Sequence, residues 1–113
     1  MALVLPPIEK RKTASINMLN KHPDRVPVVI CKSSDQNTID LTKHKYLVPR
    51  IACFGLFTLQ VRKNMKIDGT ETIFFFVSNR LMSPDMTLGD IYDKFKDTDN
   101  ILYIVYSKEN TFG

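Results

Sequence analysis

Four short segments of the chain have the β-branched, aromatic and aliphatic content of strands. The last segment is apolar on both of its faces, so we expect it to be the central strand of a sheet. Pro49 ends the second segment and marks it as an edge strand, because proline cannot donate to a strand ladder. The four predicted strands are Val26 to Cys31, Lys43 to Val48, Ile73 to Val77 and Ile101 to Tyr106.

Three segments have helical spacing of their apolar residues. In Phe54 to Met65 the apolar positions follow i, i+3, i+7 and i+11, which predicts a core helix. Leu88 to Phe95 is predicted as a short amphipathic helix that begins after a capping residue, Thr87. Ile8 to Lys21 has sparse apolar residues and many basic ones, so this helix should pack weakly on the outside and end before Pro23.

The resulting order is an N-terminal helix followed by β-β-α-β-α-β. A right-handed crossover would place the last strand parallel to the first. We therefore predict an α+β, ubiquitin-like β-grasp fold: a four-stranded mixed sheet with a central helix and an extra N-terminal helix. We expect one domain over residues 1–113, divided into a helical extension (1–22), a β-grasp core (23–107) and a flexible C-terminal tail (108–113).

The composition is that of a globular protein, with 43% hydrophobic and 25% charged residues in 113. Apolar runs are too short to span a membrane, and the first five residues are too few for a signal peptide. We therefore expect a cytoplasmic protein in which Cys31 and Cys53 are free thiols.

Charge is distributed unevenly along the chain. Residues 1–66 contain 12 Lys and Arg against 4 Asp and Glu, whereas residues 67–113 contain 4 against 8. Such a basic half is suited to an acidic peptide, an anionic headgroup or RNA, and it is equally compatible with an ordinary solvated surface.

The sequence contains none of the motifs that mark common enzymes, such as a phosphate-binding loop or a nucleophile elbow. His22 and His44 are expected at the surface. Asp90, Asp93, Asp97 and Asp99 cluster on and after the last helix, and the spacing of the first three predicts one solvated face. We predict no catalytic residue, no metal site and no cofactor. Phe74 to Phe76 is interpreted as core rather than as a base-stacking platform, since no polar residue alternates with the rings.

Five segments in order resemble the ubiquitin-like autophagy modifiers of the GABARAP type: His22 to Pro27, Lys45 to Pro49, Phe74 to Val77, Leu102 to Ser107 and Glu109 to Gly113. The resemblance extends from about Ile8 to the last residue. It implies that activating and conjugating enzymes transfer the terminal glycine, Gly113, to phosphatidylethanolamine. The protein would then move from the cytoplasm to the autophagosome membrane, as a substrate of enzymes and not as an enzyme.

The resemblance also implies binding of aromatic-x-x-aliphatic peptides from cargo receptors and other autophagy proteins, added as a strand to the sheet edge. The implied aromatic pocket comprises Ala14, Met18, Pro27, Lys45, Leu47 and Ile101. The implied aliphatic pocket comprises Tyr46, Val48, Pro49, Ala52 and Phe57. The implied contacts to acidic peptide residues are Arg25, Lys43 and Lys45, and those to the conjugation machinery are Phe74 and Phe76.

Three substitutions depart from the family pattern. Ile101 stands where phenylalanine is common and Met18 where a branched aliphatic residue is usual, so the aromatic pocket should be reshaped. Gln60 replaces a leucine and should make the aliphatic pocket more polar or shallower. The alternatives are a ubiquitin-like peptide-binding domain that is never conjugated, and a basic module that binds tubulin or RNA; no DNA partner is expected.

Overall fold

The computed structural model describes residues 6–33, 41–65 and 72–108. In these ranges the helices are α1 (Ile8–Lys21), α2 (Phe54–Lys63) and α3 (Leu88–Phe95), and the strands are β1 (Arg25–Lys32), β2 (Lys45–Pro49), β3 (Phe74–Val77), β4 (Arg80–Leu81) and β5 (Leu102–Ser107). These elements form an α+β fold, as predicted.

The described sheet has the strand order β2-β1-β5-β3-β4. The predicted central strand, β5, lies between β1 and β3, parallel to the first and antiparallel to the second. Strand β2 pairs antiparallel with β1 and forms one edge of the sheet, which confirms the role inferred from Pro49. The edge position leaves one side of the β2 backbone without a partner strand in the described sheet.

The sheet has one more strand than predicted. Strand β4 pairs with the end of β3 through a tight turn at Ser78 and Asn79, which both have positive φ (50° and 63°). Positive φ at both central residues matches the twist of an antiparallel hairpin. None of the four predicted strands includes β4, because a strand of two exposed residues has no periodic pattern to detect.

The main core lies between one face of the sheet and the helices α2 and α3. Alternate residues of β1 and β5 point into it, and Val61 and Ile91 meet them from the helices with no exposed area. Helix α1 lies beside β1 on the opposite face of the sheet, where it meets the strand residues that alternate with those of the main core. Because Ser15 is the buried residue of α1, this helix is attached by few apolar contacts, as its sequence predicted.

The helix ends follow local sequence. Helix α1 ends at Lys21, before Pro23. Helix α3 begins at the predicted cap, where the Thr87 hydroxyl accepts a hydrogen bond of 3.2 Å from the backbone N–H of Asp90. Helix α2 begins after Cys53, whose side chain makes no capping hydrogen bond.

Candidate functional site

A cavity of about 300 Å³ opens between helix α1, strand β1 and the edge strand β2. Its lining includes all six residues of the set defined above as the aromatic pocket: Ala14, Met18, Pro27, Lys45, Leu47 and Ile101. The volume is at the lower end of the range found for small-ligand sites. The structure thus brings together residues from four separate parts of the sequence.

Each wall of the cavity has a simple structural origin. Ala14 and Met18 are one turn apart on α1, so their side chains lie on the same side of the helix. Pro27 of β1 is directly paired with Leu47 of β2, and these two residues form the floor. Ile101 completes the cavity from the residue immediately before β5.

The cavity lining extends beyond the six predicted residues. Lys10, Arg11 and Ser15 also line the cavity from α1. Lys10, Ala14 and Met18 are spaced at i, i+4 and i+8, and this spacing is the signal that could have added Lys10 to the set. Pro6, Val28 and Val29 were likewise not predicted, and Tyr46, predicted for the aliphatic pocket, also lines this cavity.

Basic side chains surround the mouth of the cavity. Lys10 and Lys45 are exposed at its rim. The predicted acidic-peptide contacts Arg25 and Lys43 are also exposed, and the ammonium of Lys43 lies 4.9 Å from the centre of the Tyr46 ring. An apolar cavity with a positive rim is suited to an apolar side chain flanked by acidic ones.

A buried carboxylate lies behind the cavity, in the turn before β5. The Asp99 side chain accepts hydrogen bonds from the Nε–H of Arg11 (2.9 Å), from the backbone N–H of Ile101 (3.0 Å) and from the hydroxyl of Tyr103. The hydroxyl of Ser15 donates to the backbone carbonyl of Asp99 at 2.6 Å. Asp99 has no exposed area. We call these four residues (Arg11, Ser15, Asp99 and Tyr103) the Asp99 cluster.

The Asp99 cluster changes the protonation behaviour of its members. The hydrogen bond to Asp99 raises the pKa of the Arg11 guanidinium, so Arg11 stays charged. Burial, followed by the hydrogen bond to Asp99, raises the pKa of Tyr103 well above its ordinary value of 10.0. The predicted exposure of Asp90, Asp93 and Asp97 is confirmed, whereas Asp99, which follows them in the same acidic cluster of the sequence, is buried.

The five residues of the predicted aliphatic pocket lie around β2 and the start of α2. The rings of Tyr46 and Phe57 contact each other edge to face, with centroids 5.4 Å apart. Ala52 and Phe57 are half-buried against the core, and Pro49 is exposed. Val48 is only 5% exposed and belongs to the core itself. Gln60 is exposed.

The remaining predicted residues lie elsewhere. Phe74 and Phe76 share one face of β3 with ring centroids 6.4 Å apart; Phe74 is half-buried and Phe76 is 1% exposed. Gly113 lies outside the described residues. His22 is exposed as predicted, but the prediction for His44 was wrong: it is half-buried, with Nδ1 2.8 Å from the carbonyl oxygen of Ile30, because β2 enters the sheet at this point.

No group of three or more His, Cys, Asp or Glu side chains in the described ranges could hold a metal ion. Among the described helices, none combines the length and the apolar character required to cross a membrane.

Comparison with known proteins assigns the family. Residues 10–113 match the family model described as autophagy protein Atg8 ubiquitin like. The chain is 41% identical to autophagy-related protein 8a of Arabidopsis thaliana over 107 residues, which cover 95% of this chain and 88% of that protein. It is 38% identical to autophagy-related protein 8 of Dictyostelium discoideum over 108 residues, which cover 95% of this chain and 88% of that protein.

Two solved structures have the same fold. The crystal structure of Trypanosoma brucei ATG8 superposes with a TM-score of 0.82 and 28% identity, covering 90% of this chain and 88% of that one. Plasmodium falciparum Atg8, in complex with a P. falciparum Atg3 peptide, superposes with a TM-score of 0.84 and 30% identity, covering 92% of each chain. The chain therefore belongs to the Atg8 family of ubiquitin-like autophagy proteins, and its fold is the ubiquitin-like fold predicted from the order of its elements.

Proposed function

We propose that this protein is conjugated through Gly113 to phosphatidylethanolamine and acts in autophagosome formation as a membrane-tethered adaptor for aromatic-x-x-aliphatic peptides. One observation carries the peptide-binding half of the proposal. The 300 Å³ cavity with its basic rim lies directly beside β2, the edge strand of the sheet. A peptide that pairs with this edge could place an aromatic side chain in the cavity.

The binding mode follows from the geometry of β2. Lys45, Leu47 and Pro49 alternate with Tyr46 and Val48 along the strand, so the two sets project to opposite faces of the sheet. The aromatic side chain of the peptide would enter the cavity above Leu47. The aliphatic side chain would pack near Tyr46 and Phe57, whose rings contact each other in the free protein. Acidic residues of the peptide would lie against Lys45 and its basic neighbours.

Family membership supports the conjugation half of the proposal. Activating and conjugating enzymes would be the partners that bind the segment ending in Gly113. Half-buried Phe74 would contribute to the surface they contact, and buried Phe76 would support it from beneath. The complex of P. falciparum Atg8 with an Atg3 peptide is consistent with a partner from the conjugation machinery. The attached phospholipid has two acyl chains, which are sufficient for stable membrane attachment. Conjugation would therefore move the protein from the cytoplasm to the autophagosome membrane.

Lipidation is tested by reconstitution. The full chain is incubated with cognate activating and conjugating enzymes, ATP and liposomes that contain phosphatidylethanolamine, and its intact mass is measured. We expect the mass of the phospholipid adduct, and we expect the Gly113→Ala variant to give none. An unmodified mass, under conditions in which the enzymes conjugate a known substrate, would leave only a peptide-binding domain that is never conjugated.

Peptide binding is tested separately by calorimetry. The ligand is a synthetic peptide with two acidic residues followed by Trp-x-x-Leu, and the control peptide has alanine in place of tryptophan. We expect saturable one-to-one binding of the first peptide only. Equal affinity for both peptides would show that the cavity does not recognise the aromatic side chain. Strongly salt-dependent binding to tubulin or RNA without peptide binding would favour the basic-module alternative.

A further inference from the structure

Polar contacts dominate the attachment of helix α1 to the rest of the protein. Several of its large apolar residues are exposed, including Ile8 (42%), Ile16 (46%) and Met18 (45%). Leu19 packs against the core but is only partly buried, and Ser15 is the buried residue of this helix. A helix with so little buried apolar surface gains little free energy from packing. Its position must therefore depend on specific hydrogen bonds.

The Asp99 cluster supplies those bonds. Arg11 and Ser15 are one helical turn apart, and both bind Asp99: the first binds the carboxylate and the second binds the backbone carbonyl. Tyr103 of β5 donates to the same carboxylate from the sheet. Asp99 thus bridges α1 and the central strand. It does so without exposed area, where hydrogen bonds to a charged group are strongest.

The turn that presents Asp99 is itself fixed. Asn100 has a φ of 63°, a left-handed conformation that asparagine tolerates better than most residues. Its carbonyl accepts a hydrogen bond of 2.7 Å from the hydroxyl of Tyr92 on α3. The backbone N–H of the next residue, Ile101, donates to Asp99. The core therefore holds Asp99 in place, and α1 attaches to a fixed carboxylate.

The Asp99 cluster is continuous with the cavity. Arg11 and Ser15 bind Asp99 from α1 and also line the cavity. Ile101, whose backbone N–H binds Asp99 from the turn, lines the cavity as well. One wall of the cavity is therefore fixed to the other through Asp99. If α1 shifted, Ala14 and Met18 would move with it, and the cavity would widen or close.

We propose that Asp99 is a positioning residue for the binding site: it holds α1 at the distance from β1 and β2 that gives the cavity its shape. The identity of the ligand in this inference rests on the proposed function, whereas the role of Asp99 in attaching α1 does not. Since binding equilibria are reciprocal, a peptide in the cavity should stabilise the attachment of α1, and loss of the Asp99 contacts should lower the affinity for the peptide.

The main test uses the full chain with Asp99→Asn. An amide has one acceptor oxygen for the three donors that Asp99 satisfies, and it lacks the charge that attracts Arg11. We expect hydrogen exchange of the α1 amides from Ala14 to Lys21 to accelerate at least about tenfold, and the methyl resonances of Met18 and Ile101 to shift. Peptide affinity should fall at least about tenfold, and saturating peptide should restore much of the α1 protection.

Two further variants keep the test interpretable. Asp93→Asn removes the ion pair with Arg50 on the exposed side of α3, so this matched control should change neither α1 exchange nor peptide affinity. Tyr103→Phe removes one hydrogen bond to Asp99 without altering any residue that lines the cavity, and it should give a smaller change in the same direction. This second variant decides the matter if Asp99→Asn does not fold.

The outcomes separate the two proposals. Unchanged α1 exchange and unchanged methyl resonances in the variants would overturn the positioning role. Loss of α1 protection with unaltered peptide affinity would overturn it as well, because Asp99 would then be structural only. If the wild-type protein bound no peptide, the proposed function would fail, while exchange and methyl shifts in the free protein would still decide whether Asp99 shapes the cavity.

Discussion

Helix α3 approaches the segment after β2 closely at Gly89, and Gly89→Ala tests this packing. A Cβ atom at this position would lie 2.9 Å from Cβ of Arg50 and 3.1 Å from its carbonyl oxygen. Carbon atoms in favourable contact are about 3.5 to 4.0 Å apart. The helix and the segment that follows β2 would have to separate by about 0.6 Å at least.

The expected cost follows from two opposing effects. Overpacking of this kind costs about 1 to 3 kcal/mol, because backbone atoms and a Cβ cannot move aside as the tip of a side chain could. The higher helix propensity of alanine offsets this cost by at most about 1 kcal/mol, and by less near a helix end. Separation would also strain the hydrogen bond of 3.0 Å between the Gly89 N–H and the Arg50 carbonyl. We expect a net loss of about 1 to 2 kcal/mol.

The assay is urea unfolding followed by circular dichroism, with a thermal melt as a second measurement. We expect a lower urea midpoint at unchanged slope, and a thermal midpoint lower by about 4 °C or more. Lys94→Ala, at an exposed position of the same helix, is the control and should alter stability by less than about 0.5 kcal/mol. A Gly89→Ala protein as stable as the wild type would refute the argument, because it would show that the two segments separate without cost.

Two further predictions concern the cavity and the Asp99 cluster. Leu47→Ala should weaken binding of the aromatic peptide by about 2 kcal/mol, roughly thirtyfold, because three carbons of the cavity floor are lost. Leu56→Ala, at an exposed leucine outside the cavity, is the control and should leave the affinity unchanged. Equal effects of the two substitutions in calorimetry would contradict the assignment of the cavity as the binding site. Tyr103→Phe should make stability less sensitive to alkaline pH. Because the pKa of Tyr103 is raised in the folded protein, the folded state keeps this proton at pH values where the unfolded chain has lost it. The free energy of unfolding of the wild type should therefore fall as the pH rises above about 10. An equally steep fall in the variant would count against the raised pKa.

Much of the fold followed from local sequence patterns. The apolar and aromatic run from Ile101 to Tyr106 predicted a central strand because neither face of it carries a charged or strongly polar residue. Pro49 predicted the edge strand because it lacks an N–H to donate. The hairpin to β4 could not be predicted in this way, since its two residues are exposed and it depends on backbone conformation at Ser78 and Asn79.

The sequence by itself determined the order and type of the main elements and, through its resemblance to a family, a set of cavity residues. Hydrophobic periodicity and proline act over a few residues, so a single sequence displays them directly. Only the tertiary structure decided which polar residues are buried. Asp99 lies among acidic surface residues in sequence, yet it contacts Arg11 from 88 positions away. A contact over that distance forms only when α1 lies against the sheet. The sequence around either residue has no periodic pattern that would predict it.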